Sequence, residues 1–290
     1  MIAALLPLVA AALVFTGGDA TNAYECAGEM VAKLTPRDAG TARGRIAAYW
    51  LLDHAAAAGA DARLDIFAAP TPKGKRQLAN VIGEFVVDPE KPWVVLVSHY
   101  DTKSGIECPG ANDGASTSGL LLALCRALKR AEPLALNVML IWTDAEECMG
   151  PHYVAGDGFQ GSKRAAEMLR RRGLDVKAVI CLDMLGDREL SIQIPRNVSD
   201  ELATLAIASA RACGLPADLV ARREILVKDD HLSFFQAGFP SLLLIDFDYG
   251  SESGLNDYWH TAKDTMDRIS ADSLEKSGRL VAEIMKKLGV

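Results

Sequence analysis

The chain reads as an α/β protein in three layers: a mixed, mostly parallel central sheet with helices on both faces. Three observations predict this. Short apolar runs rich in Val, Leu and Ile recur along the chain, the pattern of strands buried on both faces. Stretches of helical spacing alternate with them, as in sheets covered on both sides. The 290 residues are 50% hydrophobic and 24% charged, which suits a globular core and excludes disorder.

The N-terminus, MIAALLPLVAAALVFTGGDATNA, carries an apolar run from Ile2 to Phe15, followed by the small residues of Gly18-Asp19-Ala20. The run has signal-peptide length, is short for a membrane span, and lacks a Lys or Arg ahead of it. We read residues 1–20 as an export leader to the periplasm or beyond, and 21–290 as one domain. Asp38 to Gly59 has helical spacing and ends at a glycine. ARLDIFAA (62–69) and QLANVIGEFVV (77–87) alternate like strands around a Pro-Thr-Pro-Lys-Gly turn. WVVLVSHYD (Trp93–Asp101) is a buried strand. Gly114 to Ala131 is a helix with an apolar face at Leu120, Leu121, Leu124 and Leu128. LNVMLIWTD (136–144) is the next buried strand and GSKRAAEMLRRRG (161–173) a helix. VKAVICLDMLGD (176–187) is a third buried strand and LSIQI (190–194) a fourth. Asp200 to Gly214 is helical, PSLLLIDFDYG (240–250) is a strand, and Ser270 to Leu288 closes the chain as an amphipathic helix.

The net charge is −7, and the one basic cluster, Arg170-Arg171-Arg172, falls on a helical face. Nucleic acid is therefore excluded as a partner. Six cysteines are too few for a disulfide scaffold. Cys125 and Cys181 fit buried thiols; in an exported protein Cys108 and Cys148, both in loops, are the best candidates to pair.

Ligands of open α/β sheets sit beyond the carboxyl ends of the strands. Those ends carry Ser98-His99-Tyr100-Asp101, Thr143-Asp144-Ala145-Glu146-Glu147, Asp183 and Asp246-Phe247-Asp248. Two loops add Gly110-Ala111-Asn112-Asp113-Gly114 and Tyr258-Trp259-His260-Thr261. Imidazoles and carboxylates without paired thiolates suit zinc in a hydrolytic role. His99-x-Asp101 has the form of an acid orienting a ligating histidine. Asp113 is either an N-cap or a carboxylate thrust inward by its flanking glycines. Glu146 and Glu147 are adjacent and point in different directions, which implies two different jobs.

SHYD, GANDGASTSG, DAEE, LDMLG, DDH and YWHT, in this order, resemble the zinc exopeptidases of metallopeptidase family twenty-eight. That family includes secreted bacterial aminopeptidases and, as a branch, the animal-type glutaminyl cyclases. The resemblance runs from roughly Leu78 to the C-terminus and implies a zinc-aminopeptidase-like fold. For an aminopeptidase it implies two zincs, with His99 and Asp183 on one, Glu147 and His260 on the other, and Asp113 bridging. Glu146 would be the general base, with Asp101 and Asp230 in support. Zinc would acidify a water, and Glu146 would pass its proton to the leaving amine. For a cyclase it implies one zinc on Asp113, Glu147 and His260. Glu146 would then shuttle a proton between the α-amine and the departing γ-amide nitrogen, beside an acid network of Asp183 and Asp230.

Trp259, His231 and Tyr258 are the candidate pocket residues; His54 reads as structural and His152 as a loop residue. Tyr100 and Tyr249 are further candidates to line the pocket. Asp229-Asp230-His231, Trp259-His260 and SHYDTK lean to the cyclase. GANDGAS and the complete five-ligand set lean to the peptidase, which we take as the first reading. The partner is then a peptide with a free N-terminus, the processed protein has no stable membrane insertion, and a monomer is expected. Some relatives of this fold are non-catalytic binding ectodomains; they would show broken ligands, whereas all five and Glu146 are intact here.

Overall fold

A computed structural model of the protein describes residues 12–154 and 156–290. Eight strands form one sheet: β1 (Asp61–Thr71), β2 (Gly74–Phe85), β3 (Trp93–His99), β4 (Asn137–Thr143), β5 (Val176–Asp183), β6 (Ile192–Ile194), β7 (Val220–Arg222) and β8 (Ser241–Ile245). Their order is β1-β2-β4-β3-β5-β8-β6-β7. The central four, β4-β3-β5-β8, run parallel. The β1–β2 hairpin is antiparallel on one side, and β6 is antiparallel to β8 on the other. Val94 to Val97 and Val138 to Ile141 have no measurable exposure, as strands covered on both faces require.

Helix α1 (Gly17–Glu29) precedes α2 (Ala42–Ala57), and α3 (Thr117–Ala131) links β3 to β4. Helix α4 (Gln160–Arg171) links β4 to β5; α5 (Asp200–Ala212), α6 (His231–Gln236) and α7 (Ala271–Leu288) follow. The β3–α3–β4 crossover steps one way across the sheet and β4–α4–β5 steps the other. Both being right-handed, α3 and α4 cover opposite faces. Helices α1, α3, α5 and α7 pack into one layer, α4 and α6 into the other. The reversal of strand order at β3 opens a crevice at the carboxyl ends of β3, β4 and β5.

The helices and strands read from the sequence are present, with ends shifted by a few residues. The hairpin strands run further than expected, pairing Pro70 with Lys75 and Thr71 with Gly74, so only Pro72 and Lys73 turn. Pro70 lies on the outermost strand, where its missing N–H costs the sheet least. Helices α1 and α6 and strand β7 were not anticipated.

The domain boundary at residue 20 needs correction. Residues 16–19 form a capping box: Thr16 Oγ1 accepts from the Asp19 N–H, and Asp19 accepts from the Thr16 N–H. Gly18-Asp19-Ala20, read as a processing site, is thus the first turn of α1. Leu13 and Phe15 are buried in the core, and the Phe15 ring occupies the space a side chain at Gly278 of α7 would need. Asp19 is also paired with Arg130 of α3 at 2.7 Å. The folded domain therefore begins no later than Leu13. Residues 1–11 of the expected leader lie outside the described residues. No helix among the described residues is long and apolar enough to cross a membrane.

Candidate metal centre

The five expected ligands converge at the β3–β4–β5 crevice. His99 ends β3 and Asp183 ends β5. His99 Nε2 lies 3.1 Å from Asp113 Oδ1 and 3.2 Å from Asp183 Oδ1. Asp113 Oδ2 faces His260 Nε2 at 3.3 Å, and that nitrogen is 2.7 Å from Glu147 Oε1. Two ligand triplets result, His99–Asp113–Asp183 and Asp113–Glu147–His260, sharing Asp113.

Backbone strain aims these side chains. Ala145, Met184 and His260 all have left-handed φ near +50° to +55°, beside Glu146, beside Asp183 and at a ligand itself. Such values cost a non-glycine residue about 1–3 kcal/mol and cluster at functional sites. Asp113 departs from helical geometry just ahead of α3, and Gly114 follows at φ +92°. A Cβ at Gly114 would approach His99 Cε1 to 3.0 Å, so the glycine lets the loop pass close under the imidazole.

Behind the ligands are residues that hold them. Asp101 is fully buried and does not reach the crevice. Its carboxylate accepts from the N–H groups of Glu146 and Glu147, both at 3.2 Å, and faces His99 Nδ1 at 3.6 Å. It is a positioning residue for the histidine and the glutamate pair, and of the two roles read for it, orienting His99 and supporting Glu146 in catalysis, its contacts match the first. Asp264, which no motif signalled, accepts from the N–H groups of Asn112 and Asp113 and from Tyr249 Oη. The fully buried Arg37 guanidinium donates to the carbonyls of Tyr100, Pro109 and Gly110, tying β3's end to the Asp113 loop.

Above the ligands opens a cavity of about 730 Å³. Asp113, Glu146, Glu147, Asp183 and Asp229 line its floor with His260, and Lys103 reaches it from the side. Trp259, Phe247, Phe159, Tyr153 and Leu226 form apolar walls. Trp259 stacks on His260 with ring centroids 3.9 Å apart and tilts against Phe247.

Charge crowding sets the proton affinities of the floor. Burial, reinforced by Glu147, Asp229 and Asp230 against the pull of His99, pushes the Glu146 carboxyl well above the usual range. Burial and the neighbouring Asp183 and Asp230 do the same for Asp229. Burial and Asp113 raise Glu147 to about 7, with His260 opposing. Burial opposes ionisation of Asp113 too, but the facing imidazoles of His260 and His99 hold it below the usual range. Burial works against protonation of His260, yet Asp113 and Glu147 raise it to about 10. Five carboxyl groups in one basin call for a cation. Asp113 Oδ2 is buried with no hydrogen-bond partner, a lone pair left for one. The nitrogen and oxygen donor set fits a borderline divalent metal. The residues thus fit a metal, held by one triplet or by both.

Several expectations move. Asp230 turns away from the cavity: its Oδ2 accepts from Thr143 Oγ1 and its Oδ1 has no partner. Asp229 stands in its place on the floor. The two precede α6, whose first residue is His231, and the turn into the helix sends their side chains apart. His231 does not line the cavity. It is fully buried, both ring nitrogens lack partners, and burial depresses it to about 4. Tyr258 packs edge-on against Tyr249 outside the cavity, while Trp259 is in the wall as expected. Tyr100 and Tyr249 are buried, donating to Ala79 O and to Asp264. His54 stacks on Trp50 in α2, and His152 lines the cavity mouth. All six cysteines are free thiols, Cys108 and Cys148 among them.

A family model described as Peptidase family M28 matches residues 80–285. The chain is 28% identical over 283 residues to a glutaminyl-peptide cyclotransferase of Drosophila melanogaster, covering 86% of this chain and 77% of that one. It is 25% identical over 264 residues to leucine aminopeptidase 1 of Sclerotinia sclerotiorum, covering 84% and 65%. Among solved structures, the Acidobacteriales bacterium glutaminyl cyclase superposes with a TM-score of 0.87 at 30% identity, over 100% of this chain and 99% of that chain.

Proposed function

The chain belongs to peptidase family M28, and we propose that within it this is a zinc-dependent glutaminyl-peptide cyclotransferase. The observation that carries the reading is Asp229 on the cavity floor with Glu146 and Asp183. Cyclisation needs a proton moved from the attacking α-amine to the departing γ-amide nitrogen. Glu146 and Asp229, both raised well above the usual carboxyl range, can hold and return that proton. The full-length similarity to a bacterial glutaminyl cyclase supports the same reading.

Asp113, Glu147 and His260 would hold the zinc, which when bound polarises the γ-carbonyl of an N-terminal glutamine and draws nearby carboxyl proton affinities down towards neutrality. The chain's own groups do the rest. Trp259, fixed on His260, walls the glutamine side chain and excludes water that would hydrolyse it. The α-amine nitrogen forms a bond to the γ-carbonyl carbon, Glu146 takes its proton, and the γ-amide nitrogen leaves as ammonia carrying that proton.

A second reading, aminopeptidase action, is favoured by one observation: the His99–Asp113–Asp183 triplet is complete and could take a second zinc. The test is a paired assay on zinc-loaded protein, with the metal counted in the same sample. Ammonia release from glutaminyl peptides with one zinc bound supports the cyclase. Arylamine release from aminoacyl arylamides with two zincs bound replaces it with the peptidase.

A further inference from the structure

Lys103 Nζ lies 2.9 Å from Cys148 Sγ, closer than an ordinary N–H···S contact. The lysine is 6% exposed, and the other acceptors of its ammonium are the carbonyls of Cys148 and Gly150. Among the described residues no carboxylate lies within ion-pair distance of it. The hydrogen-bond partners of its ammonium thus belong to one short stretch directly after Glu147. Cys148 is half-buried and, like Lys103, lines the large cavity, so a small oxidant reaches both through the mouth. Elsewhere, Cys108 Sγ faces Asp264, and Cys125 and Cys181 are sealed in the core.

We propose that Lys103 and Cys148 are a covalent oxidation site, joined by peroxide into a nitrogen–oxygen–sulfur bridge. The separation is one that a single bent oxygen spans with little movement of either side chain. The first equivalent of hydrogen peroxide converts the Cys148 thiol to a sulfenic acid and leaves as water. In the second step the Lys103 nitrogen, having released its ammonium proton to solvent, is oxidised by a second equivalent and bonds to the sulfenic oxygen. The S–O bond is kept, an N–O bond forms, one hydrogen stays on nitrogen, and two waters leave. Overall two peroxides accept four electrons, one oxygen remains in the bridge, and three leave as water. Thiol reductants reverse the chemistry, restoring the amine and the thiol. The bridge would tie the β3 end to the segment carrying Glu147 and remove a positive charge from the cavity wall.

The experiment uses the metal-loaded full chain, treated with excess hydrogen peroxide, digested without reductant and read by mass spectrometry. The expected result is one cross-linked species joining the peptides that contain Lys103 and Cys148. Its mass is that of the two peptides plus one oxygen atom less two hydrogens, and dithiothreitol separates it into unmodified peptides. Lys103→Arg and Cys148→Ser chains, each with a wild-type circular dichroism spectrum, lack the species. Cys148 carried to sulfinic or sulfonic acid with Lys103 unmodified would overturn the proposal. So would a disulfide at Cys148, or an unoxidised Cys148 in protein whose other thiols have reacted.

Discussion

Asp229 and Asp230 are chain neighbours with opposite surroundings. Asp229 lines the cavity floor; Asp230 is locked under Thr143. We therefore predict that Asp229→Asn lowers kcat by at least tenfold with little change in stability. Asp230→Asn should do the reverse, costing about 1–3 kcal/mol through a buried group left badly paired. Urea titrations and steady-state rates on the two variants separate these outcomes; equal kinetic losses would return Asp230 to the site. Glu146 and Glu147 divide in the same way. Glu146→Gln should keep its metal and lose about a hundred- to ten-thousand-fold in kcat. Glu147→Ala should lose metal as well, read by metal analysis after gel filtration. That these acids and histidines gather in one place was legible because a histidine or acid ending each of several buried strands is a rare pattern, whereas their roles as ligands come from the family resemblance. Which half of the Asp229-Asp230 pair faces inward was not legible, since it depends on where a six-residue helix starts, and no periodicity marks so short an element.

Helix α1 is the element whose reading changed most. Its apolar approach looked like a leader because Leu13 and Phe15 fit an export signal as well as a core. The capping box at Thr16 and Asp19 was the signal that could have told them apart. Removing the Phe15 ring should cost about 3–5 kcal/mol, measured by chemical denaturation. A chain beginning at residue 21 also loses the first turn of α1 and the Asp19–Arg130 pair, and should melt lower or fail to fold. Wild-type stability in either variant would restore the boundary at residue 20. The central strands were legible as continuous apolar runs. Strand β7 was not, since three residues carry too little pattern to separate from a loop.

The whole molecule carries more buried acid than its base can neutralise, and its stability should depend on pH accordingly. Burial raises Asp187 and Asp264 to about 6 and Asp246 to about 7, above an ordinary value of 3.8. The fold therefore binds protons that the unfolded chain does not, and the stabilisation they confer is lost as pH rises through 6 to 7. His231, depressed to about 4, acts oppositely, but only below its ordinary 6.5. From about pH 4 up to about 7, then, the three acids outweigh the one imidazole and chelator-treated protein should melt progressively lower, levelling off above that. Zinc-loaded protein should resist this, because protons leaving Glu147, raised to about 7, stop competing with metal. Melting curves with and without chelator test it; a gap that narrows with rising pH would contradict the assignment of Glu147 as a ligand. The ligands also span the chain from His99 to His260, each from a different strand end or loop. No fragment emerging from the ribosome holds more than part of the set until the segment after β8 has been made. Capture of a metal by the Asp113–Glu147–His260 triplet would then be a late step of biogenesis, and an ion bound there would report that the segment after β8 has docked.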